Sequence, residues 1–199
     1  MYGPSRVYGL DIETDNSAGH GLNPGKSRIT EIALATAQGG AVFNDDDELA
    51  LLLNLEAALA DLAPGLLATW NGSPFDVPFI TDRLATYPVA HGWTTWPDPD
   101  LVPKYEPLPG HTGGYGASWS NRSGVTHAHL DISYAYRSVA DRHGVSWSLK
   151  PVCAAEGIEM YELDRTRLQD YTPEQRKRYC LSDSSGTRIL ALRALGWDV

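Results

Sequence analysis

Cysteine is scarce in this sequence, with two in 199 residues, Cys153 and Cys180. They form neither a CxxC pair nor a ladder with histidines, which excludes a disulfide scaffold and argues against a structural zinc site; both are expected as small core residues. Long apolar runs are missing too. No stretch of about 18 uninterrupted apolar residues offers a membrane span, and the first six residues carry no apolar leader segment, so a soluble, cytoplasmic protein with no membrane partner is expected. Positive charge is also short: 16 Lys and Arg against 25 Asp and Glu leave a net charge of −9. That balance excludes a protein that coats nucleic acid or anionic membrane by bulk attraction, so any phosphate-bearing partner must be held locally. No repeat of fixed period and no low-complexity tail breaks the chain. With 42% apolar residues it is expected to close one core, a single domain over residues 1–199.

Hydrophobic periodicity supplies the organisation. Residues 7–13 alternate around an apolar run of strand length, and the polar, Gly-rich stretch 14–27 ends it. Strands over 28–36 and 41–43 meet across Gly39-Gly40, a hairpin dipeptide. Four acids at 45–48 suit the positive end of a helix running to about 62. Pro64-Gly65 stops that helix, and a short buried strand over 66–70 leads to the turn Asn71-Gly72. Ser73 as N-cap and Pro74 at N1 then predict a helix to about residue 85. From 87 to 124 the pattern lapses into Pro, Gly, Trp and polar residues, a connection longer than an ordinary loop, and is expected to be an insertion. A strand over 126–132 and helices over 133–143 and 149–156 follow. A last long helix opens at Thr172-Pro173-Glu174-Gln175, with capping-box spacing. The order predicts an α/β fold: a mixed five-stranded sheet, three antiparallel strands and then two parallel ones, flanked by helices.

Three acidic clusters stand far apart in sequence. Asp11 and Glu13 sit two apart on the first strand and share a face, an arrangement that is costly unless a cation or a shared proton neutralises it. Asp76 follows Asn71 and Phe75 at the start of a helix. Tyr179 and Asp183, four apart, share a face of the last helix.

Leu10-Asp11-Ile12-Glu13-Thr14, Asn71-Gly72-Ser73-Pro74-Phe75-Asp76 and Tyr179-Cys180-Leu181-Ser182-Asp183 resemble, in order, motifs I, II and III of the DnaQ-like 3′–5′ exonuclease superfamily. The likeness is to its tyrosine-containing (DEDDy) branch, represented by the proofreading domain of family B DNA polymerases. The histidine of the other branch lies five residues before the last Asp, where this chain has Arg178. The resemblance spans about residues 7 to 195 and implies a ribonuclease H-like fold.

It also implies an activity: removal of nucleoside monophosphates from the 3′ end of single-stranded DNA, aided by two divalent cations, Mg²⁺ or Mn²⁺. Such ions favour oxygen ligands, and together they activate water and neutralise the leaving oxyanion. By the resemblance Asp11 bridges both ions, Glu13 and Asp183 complete one site, and Asp76 holds the other largely through water. Tyr179 orients the attacking water, while Thr14, Asn71 and Phe75 contact the terminal nucleotide. An exoribonuclease of the same superfamily, or a silent nucleic-acid-binding module of that fold, is the alternative.

Other features are read from the residues themselves. His127-Ala128-His129-Leu130-Asp131 begins the metal pattern of metallo-β-lactamase-like hydrolases but stops at Ile132; a strand with one polar face, ending near a helix start, is expected. Residues 113–122 form a Gly-rich segment with aromatic and basic tips, expected as a loop that either touches the substrate strand, by analogy with the hairpin of related polymerase exonuclease domains, or is a disordered surface loop. Trp147, Leu149 and Pro151 are expected to pack in the core. Residues 1–136 carry 6 basic and 16 acidic groups. The basic groups gather later, and Arg165, Arg167, Arg176, Lys177 and Arg178 are expected either where a phosphate backbone approaches motif III or on a solvated helix face.

Overall fold

The computed structural model describes residues 2–15, 22–101, 104, 107–110 and 114–199. Seven strands form one sheet: β1 (Val7–Thr14), β2 (Ile29–Thr36), β3 (Gly39–Phe43), β4 (Gly65–Thr69), β5 (Trp93–Pro97), β6 (Tyr115–Ser120) and β7 (Thr126–Asp131), in the order β3-β2-β1-β4-β7-β6-β5. β1, β2 and β3 are antiparallel, and β4 and β7 join parallel to β1. This is the expected mixed five-stranded arrangement. The sheet is nevertheless two strands wider, because β6 and β5 add an antiparallel ribbon outside β7.

Those two strands lie in the stretch expected to be a patternless insertion. Its local composition hides them, since their stability comes from partners distant in sequence. Trp119 on β6 is fully buried, and its indole N–H donates to Glu56 Oε1 at 3.0 Å. Gly116 lacks a side chain because the Trp96 ring of β5 lies across it. Residues 115–120 are therefore a strand of the sheet and not the expected loop; residue 113 of that segment lies outside the described residues.

Helices α1 (Glu48–Asp61) and α2 (Asp76–Ala85) cover one face of the sheet. α3 (Arg137–His143), α4 (Leu149–Ala155) and α5 (Pro173–Ala194) cover the other. α1 starts where the Asp47 carboxylate caps Leu49 N at 2.9 Å. It buries Leu51, Leu52, Leu55 and Leu59, one helical stripe, each contributing about 1.5–3 kcal/mol. The neighbouring Glu48 is buried and ties three elements together. It accepts from Ile29 N at 2.7 Å, from the Arg83 guanidinium and from the Tyr87 hydroxyl at 2.8 Å. A buried carboxylate is tolerated when it is this fully satisfied.

β1 is central and shows its period of two plainly. Tyr8, Leu10 and Ile12 enter the core under α1 and α2, whereas Gly9, Asp11 and Glu13 face α5. α5 carries the capping box read from sequence, with Thr172 Oγ1 accepting from Gln175 N and Gln175 Oε1 from Thr172 N. It runs close against β1 at Gly9, where any Cβ would collide with the Ser184 carbonyl oxygen.

That close approach sets the helix–strand spacing on which the acidic residues depend. Gly9→Ala is expected to cost about 3 kcal/mol, whereas Gly3→Ala, with nothing within 4 Å, is expected to be neutral. Urea melts of the two variants check this, and coincident midpoints would contradict the packing.

Candidate active site

Asp11 and Glu13 leave β1 toward α5, and Asp183 leaves α5 toward β1. Carboxylate oxygens of the three lie within 4.8 Å of one another, the group among the described residues that could hold a metal ion. Two ionised carboxylates at that separation repel by about 3.5 kcal/mol at an effective dielectric of about 20. The fourth acid, Asp76, starts α2 and is buried. Its Oδ1 accepts from Ile12 N at 3.3 Å, which anchors it to β1 between Asp11 and Glu13. Asp76 stands outside the tight trio yet close enough to act on Asp11 and Glu13 electrostatically.

Every one of these carboxyls is pushed upward. Burial is the largest cause for Asp11 and Glu13, followed by the charge of Asp183; both rise well above the ordinary carboxylate range. Burial raises Asp76 to about 8, against backbone N–H groups that favour its charged form. Asp183 rises to about 6, burial being opposed first by Lys150. Tyr179 is pushed well above the usual phenol range, by burial and then by Asp183, Glu13 and Asp11. It is therefore a proton donor or an aligning hydroxyl, not a base. Cys180 is a buried core thiol, as expected, and its Sγ lies 3.5 Å from Asp11 Oδ2.

Lys150 is a site residue that the motifs do not announce. It reaches in from α4, with Nζ 2.9 Å from Asp183 Oδ2 and 3.6 Å from the centre of the Tyr179 ring. One lysine inside the apolar run 147–153 is the available signal. Leu149, Val152 and Cys153 are buried around it as expected, while Trp147 and Pro151 are partly buried.

The motif II loop is held differently from the sequence expectation. α2 begins at Asp76, so Ser73 is not its N-cap and Pro74 is not its first residue. The loop N–H groups of Asn71 and Ser73 instead donate to the two carboxylate oxygens of Asp131, at 3.1 Å each. Asn71 takes a left-handed backbone conformation, with φ 59°. This clamp comes from β7, 60 residues away from Asn71, and no local pattern announces it. Phe75 packs its ring on Phe79 with centroids 5.5 Å apart. Thr14 ends β1 at a register shift, in a cleft with Glu13, Arg28, Gln169 and Arg176. A second cleft is lined by Ser148, Lys150, Arg165, Tyr179 and Asp183 among others.

The histidine pattern has other partners. His127 Nε2 pairs with Leu59 O at 2.8 Å and His129 Nε2 with Thr69 Oγ1 at 2.8 Å, while Asp131 also accepts from Ser133. The polar strand ending at a helical turn is what the structure shows. The expected basic cluster is divided. Arg176 pairs with the buried Glu31 at 2.8 Å, Arg167 with Asp170 at 2.7 Å, and Arg178 covers the Tyr161 ring at 4.2 Å. Arg165 is the one of these that borders the Asp183 cleft.

The donors suit a hard divalent cation. They are all carboxylate oxygens, and Asp183 Oδ1 is buried without a hydrogen-bond partner. No helix among the described residues is long and apolar enough to cross a membrane.

Comparison with known proteins agrees with this geometry. A family model described as the exonuclease domain of family B DNA polymerases matches residues 35–95, which includes the motif II loop. The catalytic polypeptide of DNA polymerase epsilon from Kluyveromyces lactis is 27% identical over 157 residues, 77% of this chain. Its counterpart in Saccharomyces cerevisiae is 27% identical over 156 residues, 76% of this chain. The alignment spans 6% of the length of each of these relatives. The fold of a family B DNA polymerase from the archaeon Pyrobaculum calidifontis matches 97% of this chain and 25% of that one, with TM-score 0.63 and 20% identity. The chain is thus similar to the exonuclease domain of family B DNA polymerases in sequence over these spans, and to such a polymerase in fold.

Because folding raises these carboxyl pKa values, the stability they allow is full below the ordinary carboxylate range. It is lost as pH rises through about 6 for Asp183 and about 8 for Asp76. In chelator, the melting temperature is expected to fall from about pH 5 to about pH 8.5. The rise on adding MnCl2 is expected to grow over the same interval, since cation and protons compete for the same oxygens. A flat profile in chelator, or an equal manganese effect at both ends, would contradict this picture.

Proposed function

We propose that this relative of the family B polymerase exonuclease domain is a metal-dependent 3′–5′ exonuclease that releases nucleoside monophosphates from single-stranded DNA ends. The observation that carries the reading is the convergence of Asp11, Glu13 and Asp183 within 4.8 Å, from the first strand and the last helix of the chain. Asp76 hydrogen-bonds the same strand, and Tyr179 lies one helical turn before Asp183. The similarity to DNA polymerases supports DNA as the substrate.

Asp11, Glu13 and Asp183 would hold one divalent ion and Asp11 with Asp76 the other; such a pair supplies activation of water and neutralisation of the leaving oxyanion. The remaining work falls to the chain itself. Tyr179, with its proton firmly held, aligns the attacking water through its hydroxyl. Lys150 keeps Asp183 ionised and fixes the Tyr179 ring from its open side. The Asp131 clamp presets the loop that carries Asn71 and Phe75, and these with Thr14 receive the terminal nucleotide. A loop fixed by two hydrogen bonds does not have to be ordered when the strand end arrives.

The test is digestion of 5′-labelled single-stranded DNA and RNA with Mg²⁺, Mn²⁺ or chelator. The expected result is a ladder shortening from the 3′ end on DNA, only with metal. Asp11→Ala is expected to reduce it to background, and Tyr179→Phe to leave about a tenth to a hundredth of the rate. Full activity in Asp11→Ala would overturn the assignment, and a ladder on RNA alone would transfer it to RNA. Lys150→Met is expected to tighten Mn²⁺ binding in calorimetry, because an ammonium no longer competes for Asp183 Oδ2; unchanged or weaker binding would contradict that role.

A further inference from the structure

The widened end of the sheet carries a second surface, of which the nuclease reading uses only the Asp131 clamp at its margin. A groove runs between β5 and the turn after β7, lined by Trp96, Asp98, Asp100, His129, Asp131 and Tyr134 among others. Trp96 is 51% exposed and Tyr134 50%, high values for large aromatic side chains. Neither is loose. Trp96 sits opposite Gly116 in register, and its indole occupies the space a Cβ there would need. Tyr134 stands edge-on to the Trp147 ring, with centroids 5.8 Å apart. Two aromatic faces are thus held in place and turned to solvent, where hydration of apolar surface opposes them.

Among the described lining residues of the groove, the formal charge has one sign. Asp98 and Asp100 border the groove beside Trp96, and no Lys or Arg is among its described lining residues. Arg137, on α3, is engaged with the Trp147 ring at 5.2 Å, the ring that Tyr134 meets edge-on, and does not line the groove. A track for single-stranded nucleic acid couples stacking platforms to a positive groove that follows the backbone. This groove has the platforms and the opposite charge. Cations, by contrast, gain from both features at once, from the aromatic faces and from the carboxylates. β5 is also an edge strand of the sheet, paired among the described residues with β6 alone, which leaves an edge for an extended segment.

We propose that this groove docks a basic, extended segment of a partner protein, an arginine or lysine lying over the Trp96 face and paired with Asp98 and Asp100. Ser73 and Asp131 line the same groove and form the clamp on the motif II loop. A docked segment therefore lies beside the loop that carries Asn71 and Phe75. The surface is separate from the carboxylate cluster, so this inference stands or falls independently of the nuclease assignment.

The test uses the full chain and three fluorescein-labelled probes: a nonapeptide with three arginines, the same peptide with citrulline in their place, and single-stranded dT9. Anisotropy titrations in chelator are compared for wild type, Trp96→Ala and the double variant D98N/D100N. The arginine peptide is expected to bind wild type at least about fivefold more tightly than the citrulline peptide. Each variant is expected to lose about fivefold or more for the arginine peptide and little for dT9. Thermal melts confirm folding, and if Trp96→Ala unfolds, the double carboxylate variant alone decides. Equal binding of the two peptides, or arginine-peptide binding untouched by the variants, would overturn the proposal. Selective loss of dT9 binding in Trp96→Ala would overturn it as well and make the groove part of a DNA track.

Discussion

Four carboxylates held against their own repulsion are the constraint around which this molecule is built. Asp11, Glu13 and Asp183 meet where β1 faces α5, with Asp76 hydrogen-bonded to the same strand. Each pair that ionises without a counter-charge opposes folding by a few kcal/mol, a large share of the total stability of an ordinary domain. The surrounding architecture bears that cost by overdetermining the positions. Gly9 lets α5 settle directly on β1, Arg176 pins the start of α5 to buried Glu31 of β2, and Glu48 locks α1, α2 and β2 as one block. The carboxylates cannot move apart without breaking one of these.

The same constraint accounts for the chemistry. Carboxyls raised by burial and by one another are poised to exchange protons for a divalent ion, and Lys150 supplies a permanent partial answer to the excess charge at Asp183. Part of the net charge of −9 is thus the site itself. The acidic total excludes a nucleic-acid coat but agrees with an enzyme that becomes locally attractive to phosphate once its ions are bound. The basic residues ahead of motif III serve this differently from their place in the sequence: Arg176 and Arg178 tie α5 to its surroundings, Arg167 pairs locally with Asp170, and Arg165 borders the cleft.

What is legible in the sequence follows from how local each cause is. The first strand, the final helix and the acids on them are readable because strand alternation, an i,i+4 pair and a capping box are written within a few residues. The strands β1 to β4 and β7 are readable for the same reason. β5 and β6 are not, since a Trp–Gly cross-strand fit and the hydrogen bond from Trp119 to Glu56 join residues far apart in the chain. Ser73 looks like an N-cap because its neighbours fit one, but the loop answers to Asp131 from another strand, and the helix starts only at Asp76. Lys150 hides in an apolar run whose burial is evident from its composition. In each miss the deciding partner lies tens of residues away.

The most direct measurement of the central claim is a titration of metal-free protein with Mn²⁺, followed by the loss of the free-ion paramagnetic resonance signal. Saturable binding of two ions per chain is predicted for the wild type, with loss of both in Asp11→Asn, the residue shared between them. Absence of saturable binding, or wild-type binding that persists in Asp11→Asn, would contradict it.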